Sequence, residues 1–332
     1  MMSAQFPCGI SAAPLMSGLN ITLIVLGALL VQYAIFVILG SYIVFAIVLR
    51  RGNKNKWTRQ CSFPDDPQQR IMYAVGAEWA QANASCKKDL HIVNEGLNLY
   101  AEYYDFGSER TCVIVPGRTE GLCYGYYFAK PYHELGFNIL TIDQRSHGLS
   151  DGKYNTLGFN EHRDLIAWSR YLHDELGTKS IYLHGICIGS ACSLYAMTSE
   201  DCPDYIIGMT AEGMYANFFE SFVQHAKEKH KKSMLVLNLS NLWFRLFTHC
   251  NMKKGPIDVI SSYKKPLLML HSREDFYSLP ERAEALYAAC GSDIKQLVWF
   301  EHGAHSMLRI TDTAKYDASI KDYMSARFGF EG

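Results

Sequence analysis

Residues 180–197, SIYLHGICIGSACSLYAM, constrain this chain more than any other stretch. An apolar run of strand type, residues 181–183, ends in His-Gly. Gly185-Ile186-Cys187-Ile188-Gly189 follows, and then a run of helix formers. Strand, tight reversal with glycine on both sides, and helix make the layout of a nucleophile elbow, written G-x-S-x-G when the nucleophile is serine. Here the middle position is Cys187. Such a turn strains its central residue and lifts that side chain off the sheet, and glycines flank it because neighbouring side chains would clash. The plain alternative is a buried cysteine acting as a small hydrophobe. An elbow with a chemical role needs a base, an orienting acid and an oxyanion hole supplied from elsewhere.

The N-terminal region sets a second constraint. No Asp, Glu, Lys or Arg precedes Arg50, and residues 19–49 are almost wholly apolar. Those 31 residues exceed the roughly 20 that span a bilayer. A secretory signal peptide would have a basic n-region and a shorter apolar core, neither of which is present. Arg50, Arg51, Lys54, Lys56 and Arg59 follow at once. The positive-inside rule then predicts a single-pass membrane protein with a short outer tail, residues 1–18, and a cytoplasmic C-terminal domain.

Composition adds exclusions. With 48% hydrophobic and 20% charged residues the chain is no disordered segment, and its net charge of −1 gives no reason to expect nucleic acid as a partner. The ten cysteines include no C-x-x-C pair, so neither a zinc site nor a redox dithiol is signalled. His225 and His230 lie five apart, a poor spacing for one helix face, so no metal is expected there. No phosphate loop or dinucleotide fingerprint stands out, and no cofactor is expected.

Past the membrane segment, residues 50–89 read as a basic linker and a connecting helix, with Ile71, Val75, Trp79 and Ala82 at helical spacing. Residues 91–104 alternate around Glu95-Gly96 and predict a β-hairpin. Short apolar strands at 111–115, 137–142, 181–183, 206–211, 265–270 and 294–300 then alternate with helices at 124–135, 160–176, 281–289 and 313–328. That rhythm predicts a mostly parallel sheet with helices on both faces. Between 215 and 256 lie apolar helical stretches containing Phe218, Phe222 and Trp243.

The order of parts, with DQRSHGLSDG (143–152) followed by HGICIG (184–189), resembles the α/β-hydrolase superfamily. Within it, the chain is most similar to the branch of monoglyceride lipases, lysophospholipases and serine aminopeptidase-like proteins, where D-x-R-G-H-G-x-S-x-G is typical. The resemblance covers residues 90–328. It departs at Ser146 (usually glycine), at Pro116 (commonly histidine) and at Cys187 (usually serine). It implies a helical cap at about 215–256 over the active site, with Phe218, Phe222 and Trp243 facing an acyl or lipid-like substrate. It also implies Asp275 as the acid, with Glu274 the runner-up, and His305 as the base, with His302 the weaker alternative.

The order Cys187, Asp275, His305 suits this fold. His305 accepts the thiol proton, and Asp275 fixes the tautomer. The N–H groups of Ile188 and Arg118, on the turn after the strand 111–115, complete an oxyanion hole; the bland reading of Arg118 is a surface arginine. The start of the helix after Cys187 adds positive potential that favours a thiolate. Ser190 and Cys192 should be packed within that helix. The implied activity is hydrolysis of an ester or thioester through an acyl-enzyme. An acyltransferase using the same thiol and an inactive membrane-tethered binding protein are the alternatives.

Overall fold

The computed structural model describes residues 18–229 and 233–330; His230 and residues 1–17 of the expected tail lie outside the described residues. Helix α1 (Gly18–Leu49) is long and apolar enough to cross a membrane. Leu30 and Phe36 are 68% and 74% exposed, an apolar surface that suits lipid rather than water.

Helix α2 (Pro67–Ala82) starts at Asp66, whose carboxylate accepts from the Gln69 N–H at 2.9 Å. It packs on the domain, but not by the stripe its sequence suggests. Met72 and Gly76 are buried while Ile71 and Val75 are exposed. The small residue decides the face: a Cβ at position 76 would lie 2.9 Å from the Tyr127 nitrogen, so only glycine permits that approach.

Strands β1 (Lys87–Asn94) and β2 (Leu97–Tyr104) form the hairpin. Glu95 and Gly96 both take positive φ, 49° and 76°, the two-residue turn whose twist matches its strands. There follow β3 (Arg110–Val115), α3 (Tyr126–Glu134), β4 (Asn138–Ile142), α4 (Glu161–Asp174), β5 (Ser180–Ile186), α5 (Ile188–Thr198) and β6 (Ile206–Glu212). Helices α6 (Phe218–Glu228) and α7 (Met234–Thr248) separate β6 from β7 (Leu267–Ser272), and α8 (Pro280–Ala289), β8 (Lys295–Phe300), α9 (Leu308–Thr311) and α10 (Thr313–Phe328) complete the chain.

The eight strands form one sheet in the order β1-β2-β4-β3-β5-β6-β7-β8. Pairing is antiparallel from β1 through β2 to β4 and parallel from there on. Alternate residues of β3 enter two cores. Val113 and Val115 meet Leu165 and Trp168 of α4 and Leu194 of α5. Cys112 and Ile114 meet Phe128 of α3 and Tyr316 and Ile320 of α10. Helices on both faces explain why the central strands read as apolar runs rather than as alternations.

A third core joins α6, α7 and α5 to the end of α1. Val37, Ser41, Phe45 and Leu49, four apart, are the buried stripe of α1. Phe45 stacks on Phe247 with ring centroids 5.7 Å apart. Trp243 is taken up by the same contact. Its indole N–H donates to Ser41 Oγ at 3.0 Å and its ring meets Tyr42 edge-on. Helical periodicity therefore turns Trp243 toward α1 rather than toward a substrate.

The basic residues after α1 weld it to the domain. Arg51 donates to the carbonyls of Ser150 and Gly148 at 2.7 and 2.6 Å. Lys56 Nζ donates to those of Ala46, Ile47 and Arg50, and Arg118 Nη1 donates to that of Val48 at 3.0 Å. A helix leaves its last four carbonyls without intrahelical donors; Lys56 and Arg118 supply three of them, and the Asn155 N–H supplies that of Leu49 at 2.9 Å.

Candidate active site

Strand β5 ends at Ile186 and α5 begins at Ile188, so the reversal rests on Cys187 alone. Its φ of 54° and ψ of −110° are sparsely populated for a residue with a side chain, a strain of about 1–3 kcal/mol. The surroundings hold it there. The Cys187 N–H donates to the Glu212 carbonyl at 2.9 Å. A Cβ on Gly189 would sit 1.9 Å from the Val115 carbonyl oxygen, and one on Gly185 would sit 2.4 Å from that of Gly189. Gly189 is thus required by the seating of α5 on the end of β3, and Gly185 by the close return of α5 over the end of β5. Ser190 donates to the carbonyls of Gly185 and Glu212, and both it and Cys192 are buried.

Asp275 lies in the turn after β7 and is buried. Its Oδ1 accepts from the N–H groups of Tyr277 and Ser278 at 2.9 and 2.8 Å, leaving Oδ2 to accept from His305 Nδ1 at 2.8 Å. His305 follows β8 and lines the same cavity as Cys187. Burial alone would lower the imidazole pKa, but the Asp275 and Cys187 charges push it well above the ordinary histidine range. Burial would likewise raise the Asp275 carboxyl; the His305 charge and hydrogen bond hold it below the usual carboxylate range. Glu274 and His302 pair with each other at 3.0 Å, both exposed and away from Cys187.

The turn after β3 carries Arg118, and the residues that hold this turn come from the DQRSHG stretch. His147 Nε2 lies 2.7 Å from the Arg118 carbonyl, with its ring stacked on Trp57 at 4.7 Å. Gln144 Nε2 donates to the Pro116 carbonyl. Asp143 accepts from the N–H groups of Leu122 and Leu149 at 2.8 and 2.9 Å. Arg145 forks onto Asp164 at 2.6 and 2.7 Å and anchors the stretch to α4. Ser146 takes a left-handed φ of 68°, the backbone reason why glycine suits this position. The motif supplies positioning rather than reactive groups.

Two cavities meet above the elbow. One, of about 670 Å³, is lined by Cys187, His305, Tyr215, Glu120 and Tyr277 among others. The second, of about 510 Å³, is walled by Val44, Ile47 and Val48 of α1, Phe222 of α6 and Val236 and Leu237 of α7. Arg118, Phe218, His225 and Lys229 line both. Of the expected substrate contacts, Phe218 and Phe222 are therefore on cavity walls and Trp243 lines neither.

Three neighbours of the site were not singled out for it from sequence. Tyr277 stands edge-on to His305 at 5.7 Å and stacks on His225 at 3.8 Å. Burial pushes the His225 imidazole down to about 3, so it is neutral at pH 7. Glu212 ends β6 beneath the elbow. It accepts from Tyr316 Oη at 2.5 Å and the Leu308 N–H at 3.3 Å, and burial pushes its carboxyl up to about 7. A Glu-Gly pair closing an apolar strand was the only sequence signal for it. Among the described residues no group of His, Cys, Asp and Glu is arranged to hold a metal ion.

No family model matches the chain. The uncharacterized protein YqkD of Bacillus subtilis is 26% identical over 218 residues, 64% of this chain and 70% of that protein. Among solved structures, the esterase Pf2001 of Pyrococcus furiosus is similar with a TM-score of 0.62 at 21% identity, covering 74% of this chain and 93% of that one. Est1E of Butyrivibrio proteoclasticus, solved with ferulic acid bound, gives 0.58 at 19% identity, covering 72% and 99%. The likeness to these solved structures, with the mostly parallel eight-stranded sheet above, makes this an α/β-hydrolase fold, joined to an N-terminal helix long and apolar enough to cross a membrane.

Proposed function

We propose that this chain is a single-pass membrane hydrolase that cleaves a carboxylic ester or thioester through Cys187, with its 90–332 domain in the cytoplasm and a cap at about 215–256. It falls in the monoglyceride lipase, lysophospholipase and serine aminopeptidase-like branch. One observation carries the reading: His305, hydrogen-bonded to the buried Asp275, lines the same cavity as a cysteine held at positive φ. The esterases of like fold support the ester class.

The steps follow from the geometry. His305 takes the thiol proton while Asp275 holds the tautomer and stabilises the imidazolium. The Cys187 sulfur attacks the substrate carbonyl carbon, and the N–H groups of Ile188 and Arg118 bind the developing oxyanion. The tetrahedral intermediate collapses, and His305 gives its proton to the departing alcohol or thiol, leaving a thioester on Cys187. Water then loses a proton to His305 and attacks that thioester, releasing the acid and restoring the thiol. No step needs a cofactor.

The test is turnover of p-nitrophenyl esters and acyl thioesters by the full-length protein and by Cys187→Ala and Cys187→Ser. Activity in the parent that disappears in Cys187→Ala is the expected result. A silent parent with an active Cys187→Ser would refute simple hydrolysis and favour acyl transfer to another acceptor.

A further inference from the structure

The apolar cavity beside the site has an unusual wall. Val44, Ile47 and Val48 belong to α1, the helix proposed to cross the membrane, and they face Phe222 of α6 and Val236 and Leu237 of α7. At about 1.5 Å per residue, the 32 residues of α1 reach about 48 Å, against a hydrocarbon core of about 30 Å. The excess is about 18 Å, or a dozen residues, matching residues 38–49, which contain most of the stripe buried against the domain. By this count residues 44–48 lie about 10–16 Å beyond the hydrocarbon edge, on a part of α1 whose exposed side stays apolar at Ile43 and Ile47.

Two further observations place lipid at its mouth. Ile47 lines the cavity and is also 65% exposed, so the cavity reaches the outer face of α1. Beside it, α7 exposes Leu235, Leu242, Leu246 and Phe247, each more than 40%, an apolar face continuous with the docked end of α1. At its inner end the cavity joins the Cys187 cavity through Arg118 and Phe218. A chain lying in it would run from the apolar surface shared by α1 and α7 toward the cavity that holds the thiol.

We infer that this cavity seats an acyl chain of a lipid drawn from the bilayer, with the membrane helix itself as one wall of the substrate site. The inference rests on the hydrolase reading for what happens at Cys187, but not for the binding. A water-sized group takes about 30 Å³; a methylene needs about as much. A volume of about 510 Å³ then holds an acyl chain of on the order of 10–16 carbons. The preferred substrate is thus a lipid carrying an acyl chain of that length.

The experiment compares full-length parent, Val44→Trp, Val48→Trp and, from the cap side, Val236→Trp in nanodiscs. The expected result is a fall of at least tenfold in the ratio of kcat/KM for p-nitrophenyl dodecanoate to that for p-nitrophenyl butanoate. Leu30→Trp, in the exposed part of α1, should keep the parent ratio. A second readout needs no turnover. A fluorescent dodecanoic acid should bind the Cys187→Ala protein and bind at least tenfold more weakly when Val48→Trp is added. If hydrolysis does not depend on Cys187, the function proposed above fails and the binding readout still decides the cavity. Unchanged ratio and unchanged binding in tryptophan variants that melt like the parent would overturn the inference.

Discussion

Glu212→Gln tests whether the buried carboxyl beneath the elbow titrates as its surroundings require. Burial raises it from 4.5 to about 7. A group whose folded value lies above its unfolded one stabilises the fold most at low pH, and that advantage is lost as pH rises through the folded value. Applying the linkage relation to 4.5 and about 7, the parent loses about 0.8 kcal/mol from this group by pH 5 and about 3.3 kcal/mol by pH 8. The difference, about 2.5 kcal/mol, is the burden of ionising Glu212 inside the core. Glutamine keeps an acceptor for only one of Tyr316 and the Leu308 N–H, a cost that does not vary with pH, and never ionises. Denaturant unfolding of both proteins at pH 5, 6, 7 and 8 should show the variant gaining on the parent by about 2.5 kcal/mol across that range, whatever constant offset the substitution brings. A gap that stays flat with pH would refute the reasoning and mean that Glu212 ionises as an ordinary carboxylate.

Further expectations concern the triad and its supporting turn. Asp275→Asn keeps Oδ1 for the two backbone donors but turns an amide donor toward His305 Nδ1, imposing the wrong tautomer; kcat should fall about 1,000- to 10,000-fold, ~4–5.5 kcal/mol, and a loss under tenfold in steady-state assays would contradict that role. The Asp275–His305 pair should stabilise the fold fully between the unfolded values near 3.8 and 6.5. That contribution is lost below this window as pH falls through the depressed carboxyl value, and above it as pH rises through the raised imidazole value. Unfolding of His305→Gln against the parent from pH 5 to 9 should therefore show a gap that narrows toward pH 9. Ser146→Gly removes left-handed strain and a buried hydroxyl without a protein partner; after the greater freedom of glycine in the unfolded chain is subtracted, it should stabilise by about 1 kcal/mol, and a lower melting temperature would count against the assignment.

Much of this protein is written locally. The almost wholly apolar stretch 19–49 dictates a long helix, and strand-turn-helix around Cys187 dictates the elbow, where only glycine at 185 tolerates the 2.4 Å return of the Gly189 carbonyl. The hairpin at Glu95-Gly96 is equally local, since both turn residues need positive φ. The remaining features depend on which distant surfaces meet. The α2 stripe pointed the wrong way because close packing at Gly76 outweighed the exposed Ile71 and Val75. Trp243 looked like a pocket residue until Ser41, some 200 residues earlier, took its N–H. His302 and His305 are both histidines of one turn, and only pairing with the buried Oδ2 of Asp275 separates the proposed base from a surface ion pair. The shift of Glu212 and the cavity between α1 and the cap have no local signal at all. Burial and enclosure are properties of the assembled chain: neighbours in sequence set backbone geometry, whereas desolvation and cavity shape arise only when remote segments exclude water together.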